Sequence, residues 1–168
     1  MIKNISVIGA GTMGHGIASV FAMYDYNVSV YDRNQKNIIE EIKDELEFMA
    51  EEKYISKDRI KSTLSNIKIF STLKEAVKDA DYVIESIPEI LELKQKLFNE
   101  LDIICPQHTV LSSNTSSLSL SKLIENISTE RKKYTMICHW YNPSHLIPII
   151  ELSYFGNMPE EIFSDIYN

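Results

Sequence analysis

Ile5-Ser6-Val7-Ile8-Gly9-Ala10-Gly11-Thr12-Met13-Gly14-His15-Gly16 sits at the head of the chain, and its reading decides the fold. A short apolar run leads directly into glycines at 9, 11 and 14. A second apolar run, Asn27-Val28-Ser29-Val30-Tyr31, ends on Asp32, eighteen residues after Gly14. Gly9 permits a tight turn, Gly11 lets the backbone approach a pyrophosphate, and Gly14 lets the following helix sit close on the strand. The N–H groups of this turn, which includes Thr12 and Met13, face the phosphates, and the helix dipole favours their charge. A carboxylate at Asp32 can take both ribose hydroxyls of NAD and repel the 2′-phosphate of NADP; Arg33 beside it can stack on adenine. Three glycines alone are a weak signal. Strand, glycines, helix, strand and acid in this order predict a dinucleotide site, with NAD as the cofactor.

The bulk numbers set limits. The chain has 168 residues, enough for one domain spanning 1–168 with its own core. Apolar residues make up 44% and charged residues 24%, the proportions of a globular protein. A net charge of −7 argues against nucleic acid or an anionic membrane as partner. No apolar run reaches the roughly 18–20 residues that span a bilayer. Cys105 and Cys138 match no metal spacing and read as buried reduced thiols, which with the absence of a signal-like leader predicts a cytoplasmic protein.

Apolar runs then alternate with helical patterns. Strands are expected at 3–8, 28–32, 67–70, 82–85, 109–113, 134–138 and 149–152. Helices are expected at 14–25, 34–49, 57–64, 73–78, from Pro88 onward, and at 118–127. The acidic and basic residues between Glu40 and Lys53 read as the solvated face of a helix. This alternation predicts an α/β fold of Rossmann type: a doubly wound, mostly parallel sheet with helices on both faces. Ligands of such sheets sit beyond the carboxyl ends of the strands. The Gly9–Gly14 turn, Asp32, Glu85 to Glu89, Asn114 to Ser117 and His139 all fall there.

His139-Trp140-Tyr141-Asn142-Pro143 follows a strand, and Glu151 comes twelve residues after His139. An imidazole at a strand end suits proton transfer near neutrality. A carboxylate on its far nitrogen would fix the tautomer and favour the imidazolium. The plainer alternative is a histidine bonded to backbone. Ser116 and Asn142 have plain alternatives too, a helix cap in a Ser/Thr tract and an Asx turn before Pro143. His15 is expected to face solvent or the cofactor phosphates, His108 to be inert, and His145 to lie in a solvated loop.

The Gly9–Gly14 turn, Asn114-Thr115-Ser116-Ser117, and His139 with Asn142-Pro143 and Glu151 together resemble the NAD-binding domain of 3-hydroxyacyl-CoA dehydrogenases, over essentially the whole chain. That resemblance implies His139 as the base that takes the substrate hydroxyl proton and Glu151 as its partner. It implies Ser116 and Asn142 as donors to the substrate oxygen, and Glu89, Lys94 and Asn114 beside the cofactor. It also implies a second, helical domain that shapes the substrate cleft and a homodimer, neither of which residues 1–168 supply; NAD binding would survive that loss better than turnover. Pro148 departs from the fatty acyl-CoA pattern and keeps open an acyl-CoA or a small free hydroxy acid as substrate, the latter as in gulonate or carnitine dehydrogenases. A non-catalytic NAD-sensing module is the reading from another class, and the His139–Glu151 pair weighs against it.

Overall fold

The computed structural model describes residues 2–34 and 36–167. Seven strands, β1 (Asn4–Ile8), β2 (Asn27–Tyr31), β3 (Ile67–Ile69), β4 (Tyr82–Glu85), β5 (Val110–Ser113), β6 (Thr135–Trp140) and β7 (Ile150–Ser153), form one sheet in the order β3-β2-β1-β4-β5-β6-β7. Every neighbouring pair is parallel except β6 and β7. This is the doubly wound order, with its reversal between β1 and β4 and an antiparallel strand added at the edge.

Side-chain alternation sorts the helices between the two faces. Ile5, Val7, Val28, Val30, Tyr82, Ile84, Met136, Cys138 and Trp140 pack on one face, against α1 (Gly14–Met23), α2 (Ile38–Glu51) and α3 (Lys57–Ser65). Ile8, Val83 and Leu111 pack on the other, against α4 (Leu73–Val77), α5 (Leu91–Ile104) and α6 (Leu120–Leu123). Two further helices, α7 (Thr129–Lys132) and α8 (Glu160–Tyr167), complete the chain.

Several boundaries differ from the sequence expectation, most of them by a residue or two. The helix expected from Pro88 begins at Leu91, because Ile90 N–H turns back to the Pro88 carbonyl at 2.7 Å before the first helical bond, Lys94 N–H to Ile90 O, can form. The helix expected over 118–127 shrinks to Leu120–Leu123; a serine-rich start offers competing local bonds, and Asp102 takes Ser128 N–H at 2.7 Å. Ser128 then caps α7, which periodicity did not reveal. The helix expected from Asn34 begins at Ile38. His139 lies within β6 rather than after it, since the pairing with β7 extends the strand to Trp140.

Gly9 has φ +93°, and a Cβ on Gly14 would lie 1.8 Å from the Gly9 carbonyl oxygen. Turn and helix thus interlock through two missing side chains. Gly14→Ala is expected to destabilise the chain by about 3 kcal/mol, the range of a forced overpacking, read as a lowered urea midpoint; a loss below about 0.5 kcal/mol would show that the turn yields freely.

Candidate active site

Antiparallel pairing places Glu151 directly opposite His139. Opposed side chains share a face at short range, and His139 Nδ1 lies 2.8 Å from Glu151 Oε2. On the other side of the ring, Nε2 is 3.0 Å from Ser116 Oγ. Serine, imidazole and carboxylate therefore form one hydrogen-bonded chain. A further neighbour was missed in the sequence: the Tyr141 ring lies tilted at 42° to that of His139, with centroids 5.1 Å apart, and its hydroxyl bears on Glu151. Period-2 spacing from His139 was the available signal. Hydrogen bonds from His139 and then Tyr141 hold the Glu151 carboxyl below its ordinary value, and the same bond raises the Tyr141 phenol. Asn142 is exposed next to this group, and its side chain makes no hydrogen bond to the described residues.

Ser116 owes its place to a buried charge. Lys94, 1% exposed, points its ammonium at Glu85 Oε1 (2.6 Å), the Ile87 carbonyl (3.1 Å) and Glu89 Oε2 (3.3 Å). All three of its donors are thus directed at protein oxygens. Glu85 also accepts from Ile87 N–H and Ser113 Oγ, joining the ends of β4 and β5. Glu89 Oε1 accepts from Thr115 Oγ1, from Ser117 Oγ, and from the N–H groups of Ser116 and Ser117. Partial burial pushes the Glu89 carboxyl up, but the Thr115 and Ser117 hydrogen bonds and the Lys94 charge outweigh it and bring it down to about 2. Asn114 braces the same region: Oδ1 accepts from Trp140 N–H at 2.8 Å and Nδ2 donates to Ser86 Oγ at 3.3 Å.

Above the sheet, the glycine turn fits a dinucleotide. A Cβ on Gly11 would meet nothing within 4 Å, so the backbone there is open to a ligand. Gly11, Thr12 and Met13 direct no N–H to an acceptor among the described residues, which leaves these donors for phosphate oxygens. Asp32 accepts from Ala10 N–H (2.7 Å) through one oxygen and from Asn34 N–H (2.6 Å) through the other. A carboxylate with about four acceptor positions keeps capacity for two ribose hydroxyls.

Comparison with known proteins fits this geometry. The family described as 3-hydroxyacyl-CoA dehydrogenase, NAD binding domain, matches residues 4–168. The chain belongs to that family. A probable 3-hydroxybutyryl-CoA dehydrogenase of Bacillus subtilis is 38% identical over 154 residues, covering 90% of this chain and 53% of its own length. A glyoxysomal fatty acid beta-oxidation multifunctional protein of Brassica napus is 32% identical, over 98% of this chain and 23% of its own. The crystal structure of 3-hydroxybutyryl-CoA dehydrogenase from Escherichia coli K12 superposes with a TM-score of 0.90 at 28% identity, over 99% of this chain and 35% of that one. The chain thus spans about half the length of the first of these relatives and under a quarter of the second. The cofactor of the family is NAD.

Three expectations are corrected. His15 faces neither solvent nor the glycine turn, and His145 is not solvated: their Nδ1 atoms lie 2.9 and 3.1 Å from Glu45 Oε1. Glu45 itself, within the charge cluster read as a solvated helix face, is only 16% exposed. Cys105 and Cys138 are free and buried as expected; burial pushes the Cys105 thiol up to about 12. His108 is exposed beside Asp81. No helix among the described residues is long and apolar enough to cross a membrane, and none of their His, Cys, Asp and Glu side chains form a metal-binding group.

Glu89 has its carboxyl depressed from 4.5 to about 2 in the fold, so its contribution to stability is complete above the ordinary value and fades as pH falls through the folded one. Glu89→Gln is expected to lower the urea midpoint above pH ~5, with the gap to wild type closing under progressive acidification; a gap independent of pH would contradict this. Tyr141→Phe removes one donor from Glu151 and is expected to move its carboxyl up toward the ordinary range in a carbon-13 titration, whereas an unmoved curve would discount the phenol.

Proposed function

We propose that this chain binds NAD over the Gly9–Gly14 turn and serves the oxidation of a short-chain L-3-hydroxyacyl-CoA to the 3-ketoacyl-CoA, with His139 as general base. The Ser116–His139–Glu151 chain carries this reading. When bound, NAD supplies the acceptor for the hydride that leaves C3. His139 Nε2 takes the hydroxyl proton, and Glu151 on Nδ1 favours the imidazolium that results. Negative charge grows on the substrate oxygen as the proton leaves. Ser116 Oγ, 3.0 Å from Nε2, is a preset neutral donor for that oxygen, and the free amide of Asn142 is a second. Gly9, Gly11, Thr12, Met13 and Gly14 cradle the pyrophosphate, and Asp32 takes the adenine ribose. Glu89 and Asn114 line the nicotinamide side, with Lys94 acting behind Glu89 as its counter-ion.

The substrate is a small molecule. The formal charge of −7 disfavours nucleic acid and anionic membrane surfaces. A helical second half, such as the longer relatives have room for, would close the substrate cleft and offer the dimer face. A small free hydroxy acid is the second reading, favoured by Pro148 ahead of Glu151.

Calorimetry is expected to show NAD bound in clear preference to NADP; equal affinities would undo the role of Asp32. In a protein that carries this domain together with a helical second half, NADH-dependent reduction of acetoacetyl-CoA is expected to fall by a factor on the order of 10²–10⁴ in His139→Ala. An unchanged rate would remove His139 as base. In that protein, turnover of small keto acids in place of acetoacetyl-CoA would favour the second reading, and NADH binding with no turnover of either would favour a sensor.

A further inference from the structure

The connection between β6 and β7, residues 141–149, carries the chain from His139 back to Glu151. It has little apolar packing to hold it. Ser144, His145, Leu146, Ile147 and Pro148 front a cavity of about 500 Å³, and Ile149 and Ile150 are 55% and 42% exposed. β7 is an edge strand with mostly exposed side chains. Something else must fix where this segment lies.

Three contacts do so, and all reach the start of α1. Ser144 Oγ donates to the Met13 carbonyl at 3.2 Å. A Cβ on Gly16 would come within 2.3 Å of Ser144 Oγ and 3.2 Å of His145 Nδ1, so the connection lies directly on the helix backbone there. His145 and His15 share Glu45 Oε1 at 3.1 and 2.9 Å, with the three side chains 10%, 15% and 16% exposed. This clamp lies against α1 and α2, on the sheet face that buries Trp140, away from His139.

We infer that Glu45, through His15 and His145, is a positioning residue that fastens the β6–β7 connection to the dinucleotide turn and so sets Glu151 relative to the bound cofactor. This rests on the NAD-binding reading above. Glu45 Oε2 and His15 Nδ1 are both buried without a hydrogen-bond partner of good geometry, so the 2.9 Å contact between this carboxyl and His15 is one of charge proximity. The Glu45 contact with His15 raises that imidazole above its ordinary 6.5, against the effect of burial, and Glu41 of α2 adds to the same field. A group whose folded value is raised stabilises fully below its unfolded value and less as pH rises through the folded one. The clamp is therefore tightest in mild acid and loosens toward alkaline pH.

The test is hydrogen–deuterium exchange, with NADH affinity, on the 168-residue chain and its Glu45→Gln variant. Exchange over 144–153 is expected to rise about tenfold in Glu45→Gln at pH 6, with β1 and β4 still protected, and the excess to shrink by pH 9. NADH affinity is expected to weaken about threefold or more at pH 6. A second variant, His145→Gln, keeps the carboxylate, removes one arm and should give a smaller effect of the same sign. Unchanged exchange in both folded variants would overturn the clamp. Raised exchange with unaltered NADH affinity would overturn its link to the cofactor and leave a purely structural contact. Failure of the wild-type chain to bind NADH would overturn the functional reading instead, with the clamp still judged by exchange.

Discussion

A single ammonium group organises the carboxyl end of this sheet. Lys94 is buried where an unpaired charge would be very costly, so its three donors demand oxygens. Glu85 answers from the end of β4, Ile87 from the loop beyond it, and Glu89 from the next turn. Glu89 passes the constraint on, gathering the N–H groups of Ser116 and Ser117 around one carboxylate oxygen. Ser116 then meets His139. The His139 imidazole is thus located by a relay of charge and hydrogen bonds that starts on α5, not by apolar packing, which lies below it in the sheet.

From the other side, the imidazole is located by strand pairing. Parallel strands carry the glycine turn, Glu85 and Ser113 to one edge, and the single antiparallel strand brings Glu151 opposite His139. A one-residue slip of β7 would turn Glu151 to the opposite face. Register there matters more than the exposed strand's small buried area suggests, and the anchoring of the preceding connection on α1 bears on the same geometry.

Much of this was legible in the sequence. Glycine spacing and Asp32 gave away the first βαβ unit because each glycine answers a steric need that no other residue meets. His139 and Glu151 were legible as a pair, an imidazole at a strand end with a carboxylate twelve residues on, whereas Ser116 joined them only through resemblance to a family, since no periodicity links positions 116 and 151. Tyr141 was hidden because its role depends on a cross-strand partner. Glu45 was hidden because, among many charges on one helix, composition cannot tell which one turns inward toward two histidines. Lys94 was singled out for the cofactor; its burial under three oxygens follows from tertiary packing that no local pattern encodes. The short helix at Leu120–Leu123 shows the reverse failure, where apolar spacing overstated what a serine-rich segment sustains.

The dependence of the site on the Lys94 ammonium is tested most directly by urea unfolding of Lys94→Met at pH 7. Removing one partner of a buried pair leaves Glu85 buried without its counter-ion, so a loss of about 3–5 kcal/mol is expected relative to wild type. A loss under about 1 kcal/mol, the scale of an ordinary substitution, would mean that the ammonium merely fills space and that the turn bearing Ser116 is held by something else.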